Sequence, residues 1–150
     1  MRKFREALKT IANSMKNKKI LWAVAGSTNL WLQGMKIKPN DIDIITTKKG
    51  AYEIEKSLKK YEIEKVHYRE SETLASHYGK FIIKNIPVEV MGELRYKYAY
   101  LDCLRSRIFI KVNKVKIPCF ALEAEIKAYK RLGRIEKSES VKNYLKTLRK

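Results

Sequence analysis

Two short segments constrain this chain more than anything else in it. The first is the apolar run Ile20-Leu21-Trp22-Ala23-Val24-Ala25, broken by Gly26-Ser27-Thr28-Asn29. The second is Asn40-Asp41-Ile42-Asp43-Ile44. A short, fully apolar run bounded by glycine is a candidate buried strand. Gly26 ends it, and Ser27 or Thr28 can cap a helix that runs to about Gln33. Gly34 ends that helix, and Pro39-Asn40 opens a strand at roughly 41–47. Strand side chains alternate, so Asp41 and Asp43 share one face while Ile42 and Ile44 share the other. A fold that buries the two isoleucines therefore holds two carboxylates side by side on the opposite face.

The remaining elements follow from periodicity. Phe4, Leu8, Ile11, Ala12 and Met15 recur at helical spacing, which predicts an amphipathic helix over 2–17. Tyr52, Ile54 and Leu58 predict a second over 50–60. Strands are expected near 62–68, 79–84 and 86–91, the last two joined by a hairpin turn at Lys84-Asn85. A further strand pair, about 107–112 and 115–119, turns at Asn113-Lys114. Residues 121–133 and 138–149 read as closing helices. Residues 93–104 are ambiguous, with Tyr96, Tyr100 and Leu104 at helical spacing. No repeat, linker or low-complexity segment divides the chain, and 150 residues suit one domain. The expectation is a single α+β domain over 1–150, a mixed β-sheet with helices packed on one side.

Thirty-four basic residues against 16 acidic give a formal charge of +18. The excess gathers in residues 1–19, 95–116 and 127–150. Such a field raises the local concentration of polyanions, whether nucleic acid or nucleoside triphosphate. A lysine-rich solvating surface is the plain alternative. No apolar run approaches the roughly 18 residues that span a bilayer, and no apolar segment follows the charged N-terminus, so no membrane partner and a cytoplasmic location are expected. Cys103 and Cys119 lack metal-ligand spacing and read as two buried thiols, with a disulfide as the alternative.

Asp41 and Asp43, two residues apart on a strand, have backbones about 7 Å apart, close enough for both carboxylates to converge on one cation or bridge two. Hard oxygen ligands suit Mg²⁺ or Mn²⁺. Two such ions about 3.5–4 Å apart clamp the attacking and leaving oxygens of a phosphoryl-type displacement. The glycine before the helix lets a ligand approach the backbone, the helix points unpaired N–H groups at an anion, and Ser27 adds a hydroxyl donor. A third carboxylate is expected from a neighbouring strand. Glu89, between Val88 and Val90, would face away from the core; Glu93 and Asp102 are the runners-up. Lys130 and Arg134, one helical turn apart, can neutralise phosphate charge. His67 and His77 lack companions at ligand spacing and read as structural. Trp22 and Trp31 read first as packing residues, with base stacking as the alternative for Trp31. Tyr96, Tyr98 and Tyr100 can line an acceptor cleft or a packing surface.

These segments, Gly26-Ser27-Thr28-Asn29-Leu30, Asp41-Ile42-Asp43-Ile44 and Val88-Glu89-Val90, resemble the nucleotidyltransferase superfamily with the DNA polymerase β-type catalytic fold. They resemble in particular the small bacterial and archaeal domains, including aminoglycoside and lincosamide nucleotidyltransferases. Residues 122–134 also resemble the helix near the end of those domains, and the resemblance covers roughly 20–135. It implies that Gly26 and Ser27 hold a triphosphate, that Asp41, Asp43 and Glu89 bind divalent metal, and that Glu89 helps deprotonate an acceptor hydroxyl. Relatives often follow the terminal helix with a Lys-Asp pair, whereas Arg134 here leads into Ile135-Glu136.

The expected activity is metal-dependent transfer of a nucleoside monophosphate from a nucleoside triphosphate to a hydroxyl, with release of pyrophosphate. ATP is the donor by family habit alone. The acceptor is left open among a small molecule, a protein side chain and an RNA end; the charge favours RNA or another anionic partner. A protein partner or a homodimer would supply acceptor contacts that a chain of this size lacks. Two alternatives stand beside this reading. One is a non-catalytic basic nucleic-acid-binding module on the same fold. The other is an antitoxin-like nucleotidyltransferase acting on a partner protein.

Overall fold

The computed structural model describes residues 1–96 and 104–149, with 99–100 as backbone. Among the described residues five α-helices and eight strands follow in the order α1 (Arg2–Ser14), β1 (Trp22–Ala25), α2 (Gly26–Leu32), β2 (Ile42–Thr46), α3 (Lys48–Ser57), β3 (Glu62–Glu70), β4 (Leu74–Ile83), β5 (Ile86–Tyr96), β6 (Ala99–Tyr100), β7 (Arg107–Val112), β8 (Val115–Phe120), α4 (Leu122–Arg131) and α5 (Ile135–Leu148). They build an α+β domain on one mixed sheet ordered β3-β4-β5-β2-β1-β8-β7, with β6 paired to β5. The site depends on the centre of that order. β2 runs antiparallel to β1 and parallel to β5, which places Asp43 opposite Ala25 on one side and opposite Glu89 on the other.

Burial decides which face the acids occupy. Trp22, Val24, Ile42, Ile44, Val88, Val90, Phe81 and Ile117 point to one face and form the main core with Leu8 and Ile11 of α1 and with Ala51, Ile54 and Leu58. Ile42, Ile44, Val88 and Val90 are fully buried there, each contributing about 1.5–3 kcal/mol relative to exposure. The alternation that buries them turns Asp43 and Glu89 to the other face. On that face α4 covers only one end, through Ala124 against Ala23, Ala25, Ile45 and Phe120. The rest stays open as a cleft.

Both expected hairpin turns form. Lys84 and Asn85 have φ of 56° and 64°, and Asn113 and Lys114 have 48° and 68°, the left-handed pair of a type I′ turn. Three elements differ from expectation. The strand expected to end near 91 continues to Tyr96, because Glu93 takes a φ of 52° and the β4–β5 register shifts between Ala75 and His77, letting the ladder resume past Gly92 as a bulge. Tyr96 thus lies in a strand despite its helical spacing to Leu104. The strand expected at 79–84 begins at Leu74, five residues earlier than its apolar core suggests. The cap expected on α2 from Ser27 or Thr28 is not made: Ala25 occupies that position without a side-chain bond, and the Thr28 hydroxyl donates to the Asp41 carbonyl. Cys119 is a buried free thiol. Cys103, Asp102 and Tyr98, and the Tyr100 side chain, lie outside the described residues. Among the described helices none is long and apolar enough to cross a membrane.

Candidate active site

Asp41, Asp43 and Glu89 meet on the open face. One carboxylate oxygen from each lies within 4.8 Å of the other two, and all three side chains are half-buried. Asp43 sits deepest. Its Oδ1 is buried without a hydrogen-bond partner, and burial, then the negative charges of Asp41 and Glu89, push its pKa up to about 8. Burial and the Glu89 charge also raise Asp41, while Lys80, opposite Glu89 in the β4–β5 ladder, works against them. Glu89 is fixed from β4 by the Tyr78 hydroxyl, which donates to Oε1 at 2.6 Å. Three repelling carboxylates with one orphaned buried oxygen form a site that gains by taking up a divalent cation, and an all-oxygen donor set fits Mg²⁺ or Mn²⁺.

The Gly26–Ser27 turn stands directly over this cluster. Gly26 has a φ of 72°, and a Cβ there would lie 2.8 Å from Asp43 Oδ2. The glycine thus makes room for the carboxylate. Its own N–H is engaged, donating to Glu125 Oε2 at 2.8 Å. Glu125 also accepts from Asn29 Nδ2 at 2.7 Å and is 3% exposed. Burial pushes its pKa up to about 7, against the two donors and the Lys137 charge, which favour its ionised form. A buried acid on α4 therefore pins the turn on α2, across 99 residues of sequence.

A cavity of about 410 Å³ opens in front of the turn. Gly26, Ser27, Asp41, Asp43, Tyr129, Arg134 and Lys137 are among its lining. Lys137 on α5 reaches to 3.4 Å from the Ser27 hydroxyl. Lys137 and Arg134 both sit over the Tyr129 ring, each 5.4 Å from its centroid. Lys130 is exposed and is not part of this lining. The shared helix face expected for Lys130 and Arg134 does not form. Gly133, at φ 77°, ends α4; its N–H bonds to the Lys130 carbonyl at 3.1 Å and that of Arg134 to the Tyr129 carbonyl at 2.8 Å. This Schellman turn swings Arg134 into the cleft and leaves Lys130 outside.

The other candidates fall elsewhere. Glu93 pairs with Arg95 at 2.8 Å. His67 contacts Glu64, and His77 Nδ1 lies 2.9 Å from the Tyr52 hydroxyl. Trp22 is a core residue, and Trp31 packs edge-on against Phe4 with the Arg5 guanidinium 5.0 Å from its ring centroid. Sequence reasoning missed Glu125, Lys137 and Tyr78. For Glu125 a signal existed: it interrupts the apolar stripe of Leu122, Ala128 and Tyr129 on α4, and a carboxylate on such a stripe calls for partners.

The fold agrees with what comparison finds. The family model for aminoglycoside-2''-adenylyltransferase matches residues 7–145. TM1012 of Thermotoga maritima, assigned as a nucleotidyltransferase, is 36% identical, with 97% of this chain and 94% of that one covered and a TM-score of 0.83. ANT(2'')-Ia, in its complex with adenylyl-2''-tobramycin, is 13% identical, with 98% and 99% covered and a TM-score of 0.58. The lincosamide antibiotic adenylyltransferase LnuA, bound to lincomycin, is 16% identical, with 91% and 96% covered and a TM-score of 0.57. The last two likenesses are of fold. Among curated proteins no match is found. The carboxylate cluster under a glycine turn thus sits in a fold shared with TM1012 and ANT(2'')-Ia, and the chain belongs to the aminoglycoside-2''-adenylyltransferase family of the nucleotidyltransferase superfamily.

Proposed function

We propose that the protein is a metal-dependent nucleotidyltransferase that moves a nucleoside monophosphate from a nucleoside triphosphate to a hydroxyl acceptor and releases pyrophosphate. The observation that carries this reading is the meeting of Asp41, Asp43 and Glu89, with Asp43 Oδ1 unpartnered, beneath the Gly26–Ser27 turn. Asp41, Asp43 and Glu89 would hold Mg²⁺ or Mn²⁺, which supplies positive charge to the reacting phosphate and lowers the pKa of the acceptor hydroxyl.

The chain's own groups divide the remaining work. The Ser27 hydroxyl and the Lys137 and Arg134 cations hold the triphosphate, with Gly26 leaving room for its approach. Lys130, outside the cleft, adds to the surrounding positive field. The acceptor oxygen bonds to the α-phosphorus as the bond from that phosphorus to the bridging oxygen breaks. The electron pair leaves with pyrophosphate, and the acceptor proton passes to Glu89. Positioning and charge stabilisation supply most of the acceleration. The family description and the antibiotic complexes of ANT(2'')-Ia and LnuA make an antibiotic-type hydroxyl one acceptor class to test. ATP is the first donor to try.

The test is incubation of the protein with each α-labelled triphosphate, Mg²⁺ and a cell lysate, beside the Asp43→Asn variant. Transfer of label that requires Mg²⁺ and Asp43 supports the reading. Polyanion binding that ignores metal and Asp43, and falls steeply with salt, supports a non-catalytic basic module instead.

A further inference from the structure

A second cavity, of about 210 Å³, opens on the Glu89 side of the cluster, away from the Ser27 turn. Leu74, Met91 and Leu94 line both cavities, so the two adjoin at these apolar side chains, with Asp41 and Asp43 lining the first and Glu89 the second. If the triphosphate lies against Ser27 and Lys137, an acceptor enters from this second side. This inference rests on the nucleotidyl-transfer reading above.

The charges on that side are unusual for the family's named acceptors. Among the described residues lining the two cavities, the carboxylates are Asp41, Asp43, Glu89 and Glu125. The first three form the metal cluster, and Glu125 is buried under Gly26 and Asn29. None remains to receive an ammonium group. The lining cation on the acceptor side is Arg69, opposite Ser76 in the β3–β4 ladder. Its guanidinium lies 4.2 Å from the Tyr78 ring centroid, and it makes no ion pair with a carboxylate among the described residues. The guanidinium also interacts with the Tyr78 hydroxyl, and the remaining N–H donors of its planar fork are left for an oxyanion. Tyr78 in turn holds Glu89, so an anion seated on Arg69 lies one side chain away from the reacting centre. A polycationic amino sugar would meet Arg69, the nearby Lys80 and a net charge of +18, with no carboxylate among the described lining residues outside the cluster and Glu125 to pair with.

We propose that the acceptor hydroxyl is carried by a phosphate-bearing molecule, whose phosphate seats on Arg69 in the cavity beside Glu89. A free sugar phosphate and a nucleic-acid strand end offer the same chemistry, and the +18 field draws in both.

The full chain, with Mg²⁺ and each α-labelled triphosphate, is offered ribose, ribose 5-phosphate, a short RNA with a free 3′-hydroxyl, and tobramycin. The expected result is label on ribose 5-phosphate or on the RNA, which separates the two sources. Use of ribose and of tobramycin should be at least tenfold poorer. Arg69→Glu should lower kcat/KM for the phosphate-bearing acceptor at least tenfold and Arg69→Lys by less. Lys9→Glu, the same charge change on an exposed helix face away from the cleft, should lower it by less than threefold. Equal use of ribose and ribose 5-phosphate, preference for tobramycin, or indifference to Arg69→Glu overturns the proposal. If none of the four takes label, ribose 5-phosphate and the RNA are titrated onto protein saturated with Mg²⁺ and a non-cleavable triphosphate. Binding at least tenfold weaker in Arg69→Glu than in Lys9→Glu supports the proposal, and equal binding overturns it. Failure of the nucleotidyl-transfer reading looks different: triphosphate binding would then ignore both Mg²⁺ and Asp43→Asn.

Discussion

A Cβ on Gly26 would lie 2.8 Å from Asp43 Oδ2, so the turn and the deepest carboxylate of the cluster occupy adjoining space that only glycine leaves open. The φ of 72° at Gly26 adds a second penalty for any side chain. Left-handed backbone alone costs an L-residue about 1–2 kcal/mol, or about 3–6 °C in melting temperature for a chain of this size. The larger effect falls on activity. Moving Asp43 by a fraction of an ångström misplaces the donor and costs about 100-fold in rate. Gly26→Ala should therefore melt a few degrees lower yet lose about two orders of magnitude in nucleotidyl transfer. A rate within fivefold of wild type would remove Gly26 from the site.

Tyr78 acts through Glu89. Its hydroxyl donates to Glu89 Oε1 at 2.6 Å, and burial followed by that bond pushes its pKa up to about 12, so it remains a donor across the physiological range. Tyr78→Phe keeps the ring under Arg69 and removes the hydroxyl's bond to Glu89, together with its interaction with the Arg69 guanidinium. A charge-assisted hydrogen bond contributes about 1.5–3 kcal/mol, so kcat should fall at least tenfold while KM for the triphosphate changes less than twofold. A structural role alone would shift melting temperature and leave kcat within twofold of wild type.

Lys137 and Lys130 carry the same charge in different places. Lys137 lines the cleft 3.4 Å from the Ser27 hydroxyl, whereas Lys130 points to solvent. Lys137→Ala should weaken triphosphate binding about tenfold or more, the loss of one charge-assisted contact to phosphate. Lys130→Ala should weaken it less than twofold, and that effect should vanish at high salt. Isothermal titration of both variants at two ionic strengths decides the matter, and equal losses would return Lys130 to the binding site.

What could be read from the sequence was what depends on nearby residues. Ile42 and Ile44 alternate with Asp41 and Asp43, and Val88 and Val90 flank Glu89, so the period of two sufficed to put three acids on one face. The β2–β5 register that sets Asp43 against Glu89 is non-local, yet it follows once both strands bury their valines and isoleucines in one core. Glu125 was missed although it breaks the apolar stripe of α4, because what that break serves is set by Gly26 and Asn29, 99 and 96 residues away. Lys137 was hidden for the same reason. The misplacement of Lys130 has a different origin: Gly133, visible in the chain, ends α4 before Arg134, and helical spacing means nothing across a left-handed glycine.

Asp43 and Glu125 tie stability to pH in a direction opposite to that of an ordinary salt-bridged acid. Both carboxyls are raised in the folded protein, to about 8 and about 7, chiefly by burial. The metal-free native state therefore keeps protons that the unfolded chain releases near pH 4–4.5. Their stabilising contribution is full below that range and is lost as pH rises through about 7 for Glu125 and about 8 for Asp43. Metal-free protein should thus melt progressively lower from pH 5 to pH 8. Asp43→Asn should flatten that slope from pH 5 to 8, and Glu125→Gln only its part below about pH 7. Mg²⁺ should reverse the trend, because its ligands must be deprotonated and binding releases protons. At about 100 times its dissociation constant it should restore about 2.7 kcal/mol at pH 8, and little at pH 5. Scanning calorimetry of wild type and Asp43→Asn, with Mg²⁺ and with chelator, reads both effects. A melting temperature that rises from pH 5 to 8 without metal, or Mg²⁺ stabilisation that survives in Asp43→Asn, would show that the buried carboxylate is neither strained by its neighbours nor relieved by a cation.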